Sequence, residues 1–485
     1  MNNTKGIGKK ITTGLIWTYL ERVLAQGVST LVTIVLARLL TPAHYGVVSI
    51  VTIFITICDS LVVGGFSDTL IQKEDADDLD FSTLFWFVLF VGIAMYGVGF
   101  AAAPFVEAFF NTSMVAVTLR VMAIRLPINA INSIQSAYIS KKMKYRYFFF
   151  ATLIGTVTSA VLGVVMAYLG FGVWALVAQY LCNSVIDTLV LWLTCGWRAS
   201  FRFDIGRLKK LYSFGWKMQL ASLLATLYSE IESFCIGKKY TSVDLAYYEK
   251  GRQFPKLVMH NVQSSISKVM LPAFSHVKDN KESMKKMAQK SIQTSTYAMF
   301  PLLIGLMACA NEFVSAVLTD KWQPAVPFLR ILSVYYLFEP LMALNKQIVI
   351  ACGQAKKYLE MEIQKKIIGI IILLAAIFLF DSVTAIALAA VITQLIGLII
   401  QSIPLRDLIQ YPIEEQIKDA RTPFVFSLIM VIPVVLLKGL PMNAWIKLGL
   451  QVFTGASVYV GLSVILKNEV FYSLLRMGKQ VIRRK

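Results

Sequence analysis

The stretch GLIWTYLERVLAQGVSTLVTIVLA, from Gly14 to Ala37, is long and apolar enough to cross a lipid bilayer. Glu21, Arg22 and Gln26 nevertheless lie inside it. A charged side chain at the centre of a bilayer costs about 2.5–3.5 kcal/mol on insertion scales, so such residues usually face water or a polar partner. The stretch therefore predicts a membrane helix with one polar face that is turned away from lipid.

The whole chain has the composition of a polytopic membrane protein. Of its 485 residues, 57% are hydrophobic and only 15% are charged, and the mean hydropathy is +0.65. A soluble protein of this length has no interior large enough for so much apolar surface. Membrane strands would alternate polar and apolar residues, and the sequence shows no such alternation, so helices are expected.

Apolar runs of membrane-spanning length recur about fourteen times along the sequence. The predicted spans cover residues 13–36, 46–68, 83–103, 113–138, 147–169, 171–194, 211–236, 252–274, 291–315, 326–350, 363–380, 382–403, 422–440 and 444–466. The eighth is the weakest, because it is polar along one side. The first run is interpreted as a retained span, since it exceeds the apolar core of a signal peptide and no cleavage site is evident.

Lysine and arginine residues mark one side of the predicted membrane. With the N-terminus in the cytoplasm, most basic residues fall in cytoplasmic segments, including Lys9, Lys141, Arg207 and Lys285, whereas the outer loops hold few. This bias predicts that both termini are cytoplasmic. The net charge of +19 is then mainly a topology signal, and nucleic acid is not expected as a partner.

Two parts of the chain resemble each other at an offset of 200 residues: VLARLLTPAHYGVVS (35–49) and CIGKKYTSVDLAYYE (235–249). The alignment places Thr41 opposite Thr241 and Arg38 opposite Lys238. Six spans per unit is an even number, so both units enter the membrane in the same direction and form a parallel repeat. The predicted domains are a six-helix lobe at 1–205, a second six-helix lobe at 206–410, and two additional helices with a basic cytoplasmic tail at 411–485.

Polar residues recur at helical spacing on several spans and predict a water-filled cavity lined by matching helix faces. The stripes contain Arg22, Gln26, Ser29 and Thr33 in the first span; Thr52, Thr56 and Asp59 in the second; Arg125, Asn129, Asn132 and Ser136 in the fourth; Gln219, Thr226 and Glu230 in the seventh; and Arg252, Lys256, His260 and Gln263 in the eighth.

Structural explanations compete with this interpretation. Arg22 is near enough to the cytoplasmic end of its span for its side chain to extend into water. Asp59, Asp187 and Glu230 are also compatible with a structural role as buried residues that bond neighbouring helices together. His260 alone suits a hydrogen-bonded core histidine. The three histidines and six cysteines are dispersed, and no GxxxxGK[ST] phosphate loop occurs, so neither a metal nor a cofactor is expected.

Five stretches resemble a known family. They are LIQKEDADDLDFSTLFW (70–86), AYISKKMKYRYF (137–148), GFGVWALVAQYL (170–181), YYEKGRQFPKLVMHNVQSSISKVMLPAFSHVKDN (247–280) and KWQPAVPFLRILSVYYLFEPLMALNKQIVIACGQ (321–354). They are similar to Wzx-type lipopolysaccharide and exopolysaccharide flippases, a branch of the multidrug/oligosaccharidyl-lipid/polysaccharide exporter superfamily. The resemblance covers about residues 10–410.

This resemblance implies a transporter, not an enzyme, that flips an undecaprenyl-diphosphate-linked oligosaccharide across the bacterial inner membrane. It also implies a central cationic cavity and two six-helix lobes followed by two further helices. Alternating access would arise from rocking of one lobe against the other. The polysaccharide polymerase and the glycosyltransferases of the same pathway are candidate partners.

Basic residues on the stripes are the candidates for binding an anionic cargo. Arg22, Arg252 and Lys256 form the main phosphate-binding set, with Arg125 as an outer member, because arginine and lysine form charge-assisted hydrogen bonds with phosphate. Sugar hydroxyls are expected to contact the polar stripes. Asp59 and Glu230 are candidates for coupling transport to an ion.

Two other functions were weighed against flipping. A cation-coupled multidrug exporter of the same superfamily predicts a cavity dominated by carboxylates and aromatic residues, whereas basic residues outnumber acids on these stripes. A membrane polysaccharide polymerase needs a large outer catalytic loop, and the predicted outer loops are short. The acidic pair Asp75 and Asp77 has the spacing found in metal-dependent glycosyltransferases, but a solvated loop explains it better.

Overall fold

The computed structural model describes residues 24–277 and 280–483; within them, the side chains of residues 214, 261–269, 271–272, 276 and 477–483 are not described. The regular secondary structure of the described residues is entirely helical, without strands. Among them, nine helices are long and apolar enough to cross a membrane, or ten if one bent pair forms a single span. The chain is therefore a multi-pass helical membrane protein. The number of fourteen spans stays a prediction.

The chain divides into two compact units, Met1–Ala246 and Tyr247–Lys485. The helices of the N-terminal unit are α1 (Leu24–Leu39), α2 (Pro42–Val63), α3 (Phe66–Gln72), α4 (Asp78–Phe110), α5 (Val115–Met122), α6 (Arg125–Lys141), α7 (Arg146–Tyr168), α8 (Val173–Cys195) and α9 (Ile205–Lys239).

Helix α10 (Ser242–His276) begins in the N-terminal unit and continues into the second. The other helices of the second unit are α11 (Lys281–Ala308), α12 (Ala310–Phe313), α13 (Val326–Leu337), α14 (Glu339–Ala351), α15 (Ala355–Leu379), α16 (Val383–Ile409), α17 (Ile413–Leu436), α18 (Ala444–Ile465) and α19 (Glu469–Arg483). Within the described residues, a helix lies at each predicted span, although α1 is short, α11 meets the length and hydropathy criteria only together with Ala310–Leu318, and α9, α10 and α15 do not meet them.

The turn before α2 and the turn before α10 are built alike, as the alignment at an offset of 200 residues predicts. The backbone N–H of Thr41 donates to His44 Nδ1 at 3.4 Å. In the second turn, the backbone N–H of Thr241 donates to the Asp244 carboxylate at 3.1 Å. Each threonine thus stands at a helix N-terminus whose third residue turns back to bind it, which is the geometry of a capping box.

Helix α9 packs against α2, α3 and α4, so its contacts place it in the N-terminal unit. The Gln219 side-chain amide donates to the Ser60 carbonyl at 2.6 Å, and the rings of Phe66 and Tyr212 stack with centroids 5.9 Å apart. Helix contacts do not define the limits of a sequence repeat. The predicted lobe boundaries at 205/206 and 410/411 therefore stay predictions.

The segment between α8 and α9 is fastened to the start of α4. The backbone N–H of Ser200 donates to Ser82 Oγ at 3.0 Å, and Trp86 Nε1 donates to the Ser200 carbonyl at 2.9 Å. The ring of Trp197 stacks on Tyr138 with centroids 5.8 Å apart. These contacts join α4, α6 and the α8–α9 segment at one end of the unit.

A cluster of charged residues strengthens the same attachment, and we call Lys73, Asp77, Asp80 and Arg207 the linker clasp. The Asp80 side chain is fully buried and pairs with Lys73 and with Arg207, the latter at 3.3 Å. Arg207 also pairs with Asp77 at 2.6 Å. The Asp80 backbone N–H and then Arg207 hold the pKa of Asp77 below its usual value. Asp77 is thus a helix cap and an ion-pair partner.

Buried polar side chains connect helices of the second unit. Gln394 is fully buried and joins α14 to α15, since it donates to Glu339 at 2.6 Å and accepts from Lys365 at 2.9 Å. The predicted eleventh span began at residue 363, whereas α15 begins at Ala355. Lys365 and Glu362 of α15 thus bond to side chains of α16, while Lys356 and Glu360 are exposed; together these charges make the helix too polar for a simple hydropathy test.

Candidate functional site

A polar pocket of about 490 Å³ lies within the N-terminal unit, between α2, α3 and α6. This volume falls in the range of small-molecule sites. Eight of the eleven lining residues carry hydroxyl, amide or carboxylate groups, and three are aliphatic. The lining residues are Asp59 and Val63 of α2; Ser67, Asp68 and Ile71 of α3; and Asn129, Asn132, Ser133, Ser136, Ala137 and Ser140 of α6.

A break between α2 and α3 shapes this pocket. Gly65 has a φ of 77°, a left-handed conformation that favours glycine. A Cβ atom at this position would lie 2.6 Å from the backbone nitrogen of Gln219. The predicted second span ran without interruption through residues 46–68. The break instead ends α2 at Val63 and starts a short helix that carries Ser67 and Asp68 along the pocket wall.

Asp59 and Asn129, both predicted as site residues, lie together at this pocket. Asn129 Nδ2 is 3.0 Å from each carboxylate oxygen of Asp59. Arg125, one helical turn before Asn129, lies within electrostatic range of the same carboxylate. The Asp59 charge is thus partly balanced by its neighbours.

Asn132 connects the pocket to α8. Its Nδ2 donates to Asp187 at 2.8 Å and to the Thr188 hydroxyl at 3.2 Å, while its Oδ1 accepts from Ser136 at 3.0 Å. Asp187 is therefore hydrogen-bonded between helices, which agrees with a packing partner. Helices α7 and α8 pack closely against each other because α7 has small buried side chains such as Ser159.

Arg125, predicted as an outer phosphate-binding residue, is half-buried and engaged with α8. Its Nε donates to the Ser184 hydroxyl at 3.1 Å, and its guanidinium lies 5.5 Å from the centre of the Tyr180 ring. It is not among the residues that line the described pocket. The structure thus gives Arg125 a place between α6 and α8, where it acts on Asp59.

The predicted basic face of α10 is only partly described. Arg252 is half-buried and pairs with Glu249 at 2.8 Å, so part of its charge is balanced. Lys256 and His260 are exposed on the same helix. The side chain of Gln263 lies outside the described residues, and so does Arg22. Whether these residues form one phosphate-binding set stays a prediction.

The remaining predicted residues lie on three helices of the N-terminal unit. Gln26, Ser29 and Thr33 of α1, Thr52 and Thr56 of α2, and Thr226 and Glu230 of α9 are all half-buried. Gln219 is buried, and its bond to Ser60 is a packing contact between α9 and α2.

Sequence reasoning missed the contribution of α3 to the pocket. Ser67 and Asp68 were counted as the end of a continuous span, and Ser140 as part of a loop. The signal was present in the dipeptide Gly64–Gly65, because two consecutive glycines commonly mark a turn. The contacts of the half-buried charges Glu339 and Lys365 with Gln394 in the second unit were also missed.

Comparisons with known proteins agree with this architecture. The chain is 23% identical over 428 residues to the teichuronic acid biosynthesis protein TuaB of Bacillus subtilis, covering 86% of this chain and 87% of that protein. It is 22% identical over 353 residues to the succinoglycan biosynthesis transport protein ExoT of Rhizobium meliloti, covering 73% of this chain and 69% of that protein.

A solved structure of the lipid II flippase MurJ, in an inward closed conformation, has a similar fold. The TM-score is 0.76 at 14% identity, and the match covers 95% of this chain and 100% of that one. At this identity the likeness concerns the fold alone. The sequence profile of the family described as "Polysaccharide biosynthesis protein" matches residues 35–327. Because that match spans more than half of the 485 residues, the chain belongs to the polysaccharide biosynthesis protein family.

Proposed function

We propose that this protein flips a lipid-linked oligosaccharide across the membrane. The observation that carries the proposal is the pocket of the N-terminal unit, in which carboxylate, amide and hydroxyl groups line a cavity between membrane helices. Polar groups at such positions are costly unless they contact water or a polar ligand. The family and the name of the transport protein ExoT support a polysaccharide precursor as that ligand.

The finer parts of the proposal come from the family resemblance, except the position of the termini, which comes from the placement of the basic residues. The cargo is an undecaprenyl-diphosphate-linked repeat unit, the membrane is the bacterial inner membrane, and both termini are cytoplasmic. The linker clasp supports this topology, because it gathers residues from segments 73–80 and 200–207, both predicted to be cytoplasmic, at one end of the unit. A pathway polymerase and glycosyltransferases are the proposed partners.

In the proposed mechanism, the diphosphate binds basic residues while the glycan contacts polar side chains. Arg22, Arg252, Lys256 and Arg125 are the proposed diphosphate ligands in a central cavity that opens alternately to the two sides of the membrane. Of the two candidates for ion coupling, Glu230 is the proposed site, and Asp59 is proposed to serve the glycan instead.

A multidrug exporter is less well supported. Cationic drugs are held by carboxylates together with aromatic faces. Among the described residues that line the pocket, two are carboxylates and none is aromatic. This lining favours hydrogen bonding to hydroxyl groups over stacking with planar cations.

The test is transport in proteoliposomes with a fluorescently labelled lipid-linked oligosaccharide. An impermeant quencher added outside should bleach about half of the label without protein and nearly all of it when flipping occurs. The variant combining Arg22→Ala with Lys256→Ala should slow flipping about tenfold or more, since each charge-assisted hydrogen bond contributes about 1.5–3 kcal/mol.

Lys286→Ala is the matched control, because Lys286 is an exposed lysine of the adjacent helix α11 that pairs only locally with Glu282. It should flip at the wild-type rate. Normal flipping by the double variant at equal protein levels would show that Arg22 and Lys256 are not needed for flipping. An absence of flipping by the wild-type protein would contradict the proposed function itself.

A further inference from the structure

We propose that the pocket between α2, α3 and α6 is a subsite for an uncharged, hydroxyl-rich sugar unit of the glycan, and that it excludes the diphosphate. This inference rests on the proposed function, and it assigns the two chemical halves of the cargo to different places. It follows from the hydrogen-bonding capacity of the pocket wall, from its charge and from its size.

The hydroxyl protons of the wall are largely committed to the protein itself. Ser67 Oγ donates to the Ser133 carbonyl at 3.4 Å, Ser133 Oγ donates to the Ala130 carbonyl at 2.8 Å, and Ser136 Oγ donates to Asn132 Oδ1 at 3.0 Å. A hydroxyl has one proton but two lone pairs. Each of these serines can therefore accept a further hydrogen bond but has no second proton to offer.

The amide N–H groups of the pocket wall are likewise already hydrogen-bonded to the protein. Asn129 Nδ2 is held by Asp59, and Asn132 Nδ2 is held by α8. Oδ1 of Asn129 accepts no recorded hydrogen bond from the described residues. Together with the carboxylates of Asp59 and Asp68, the wall thus offers many acceptors, and Ser140 supplies a hydroxyl whose proton has no recorded acceptor among the described residues.

A ligand of this pocket must therefore be rich in donors. A diphosphate ester is ionised at neutral pH and offers only acceptor oxygens, so it would face lone pairs across the pocket. Asp59 and Asp68 add negative charge, and none of the described lining residues is basic. A sugar offers several O–H donors on adjacent carbons, which suits a wall of carboxylate, carbonyl and hydroxyl oxygens.

A small cation is the other kind of ligand that the oxygen atoms of an acidic pocket attract. The Asp59 carboxylate already accepts from Asn129 and lies within electrostatic range of Arg125, so its attraction for a further cation is reduced. A volume of about 490 Å³ is also far larger than a bare ion requires. Both observations favour a sugar unit over an ion.

The test compares two lipids on purified protein in nanodiscs. One is the lipid-linked oligosaccharide that accumulates when the transporter is removed from its own host, and the other is undecaprenyl diphosphate without a glycan. Asp59→Asn and Asp68→Asn should each weaken binding of the glycan-bearing lipid about tenfold, the size expected for a hydrogen bond to a charged group. Binding of the glycan-free lipid should change less than about twofold.

Asp78→Asn is the control, because Asp78 is an exposed carboxylate of the same unit that does not line the pocket. It should bind both lipids as the wild type does. Asp68 is itself exposed, so Asp68→Asn keeps the test informative if Asp59→Asn fails to fold.

Three outcomes would overturn the inference. Equal wild-type affinity for the two lipids would show that the glycan contributes nothing, while leaving flipping intact. Equal weakening of both lipids in the pocket variants would assign the pocket to the diphosphate. Binding of tetraphenylphosphonium that depends on Asp59, without any effect on the glycan-bearing lipid, would assign it to cations. Failure of the wild type to bind either lipid would instead contradict the proposed function as well.

Discussion

Replacing Asp80 with asparagine tests the role of the linker clasp in the stability of the N-terminal unit. The Asp80 side chain has no exposed surface, and its carboxylate meets Lys73 and Arg207. It also accepts from the backbone N–H of Asp77 at 3.2 Å. Asp80→Asn preserves the size of the side chain and removes its charge, so the change isolates the ionic part of these contacts.

The expected loss of stability depends on how deeply the ion pairs of Asp80 are buried. Breaking a buried ion pair costs about 3–5 kcal/mol when the remaining charge is left without a partner. Here Lys73 and Arg207 are 39% and 34% exposed, so both can turn to water when the partner charge is lost. The loss should then be close to that of hydrogen bonds to a charged group, about 2 kcal/mol.

Tryptophan fluorescence during thermal unfolding is a suitable assay, because Trp86 and Trp197 both lie at the clasped segment. A loss of about 2 kcal/mol in a unit of this size should lower the Tm by about 4–8 °C. Scans at one fixed rate are required, since unfolding of membrane proteins is commonly irreversible.

Asp75→Asn is the matched control, because Asp75 lies in the same acidic segment and is exposed. It should leave the Tm within about 1 °C of the wild-type value, in keeping with exposed carboxylates. Equal Tm values for Asp80→Asn and Asp75→Asn would refute the reasoning, since burial of the carboxylate would then carry no energetic consequence.

The other predictions concern pH, topology and the second unit. Because the folded protein lowers the pKa of Asp77, its contribution to stability is present above the unfolded pKa and is lost as the pH falls through the folded pKa. The Tm difference between wild type and Asp77→Asn should therefore shrink below about pH 4. A cysteine at Lys286 should react with impermeant reagent only from the cytoplasm and one at Lys438 only from outside; the reverse pattern would overturn the topology. Asn345→Leu should destabilise the second unit by about 1–3 kcal/mol, because the buried side-chain oxygen of Gln416, which accepts a hydrogen bond from Asn345 at 3.0 Å, would lose that donor. Thermal unfolding measures the effect, and an unchanged Tm would contradict the prediction.

The positions of the membrane helices could be predicted from the sequence because hydropathy is a property of each segment by itself. Within the described residues, a helix lies at each predicted span, and the turns at Thr41 and Thr241 are built alike. The ends of the helices were less certain, as α15 shows. Its first turns, from Ala355, carry charged side chains and therefore lie outside the predicted span, which began at residue 363.

The polar stripes were predictable as faces, but their partners were not. The spacing of Asp59 and Asn129 placed each on the polar side of its own helix, and the structure brings the two together. The same kind of spacing placed Gln219 on a polar face, yet its amide is used to pack α9 against α2. A polar stripe shows which side of a helix faces away from lipid. That side is equally compatible with lining a cavity and with contacting another helix.

The sequence alone determined that this is a helical membrane protein, because the free energy of transfer into lipid depends on each segment separately; the internal repeat and the charged residues at depth stay predictions. Only the tertiary structure decided which polar groups meet. The break at Gly65 sets α3 beside α6, and the bonds of Asn129 and Asn132 orient the pocket wall so that it presents acceptors. Such pairings join residues more than fifty positions apart, and their geometry depends on how several helices pack at once.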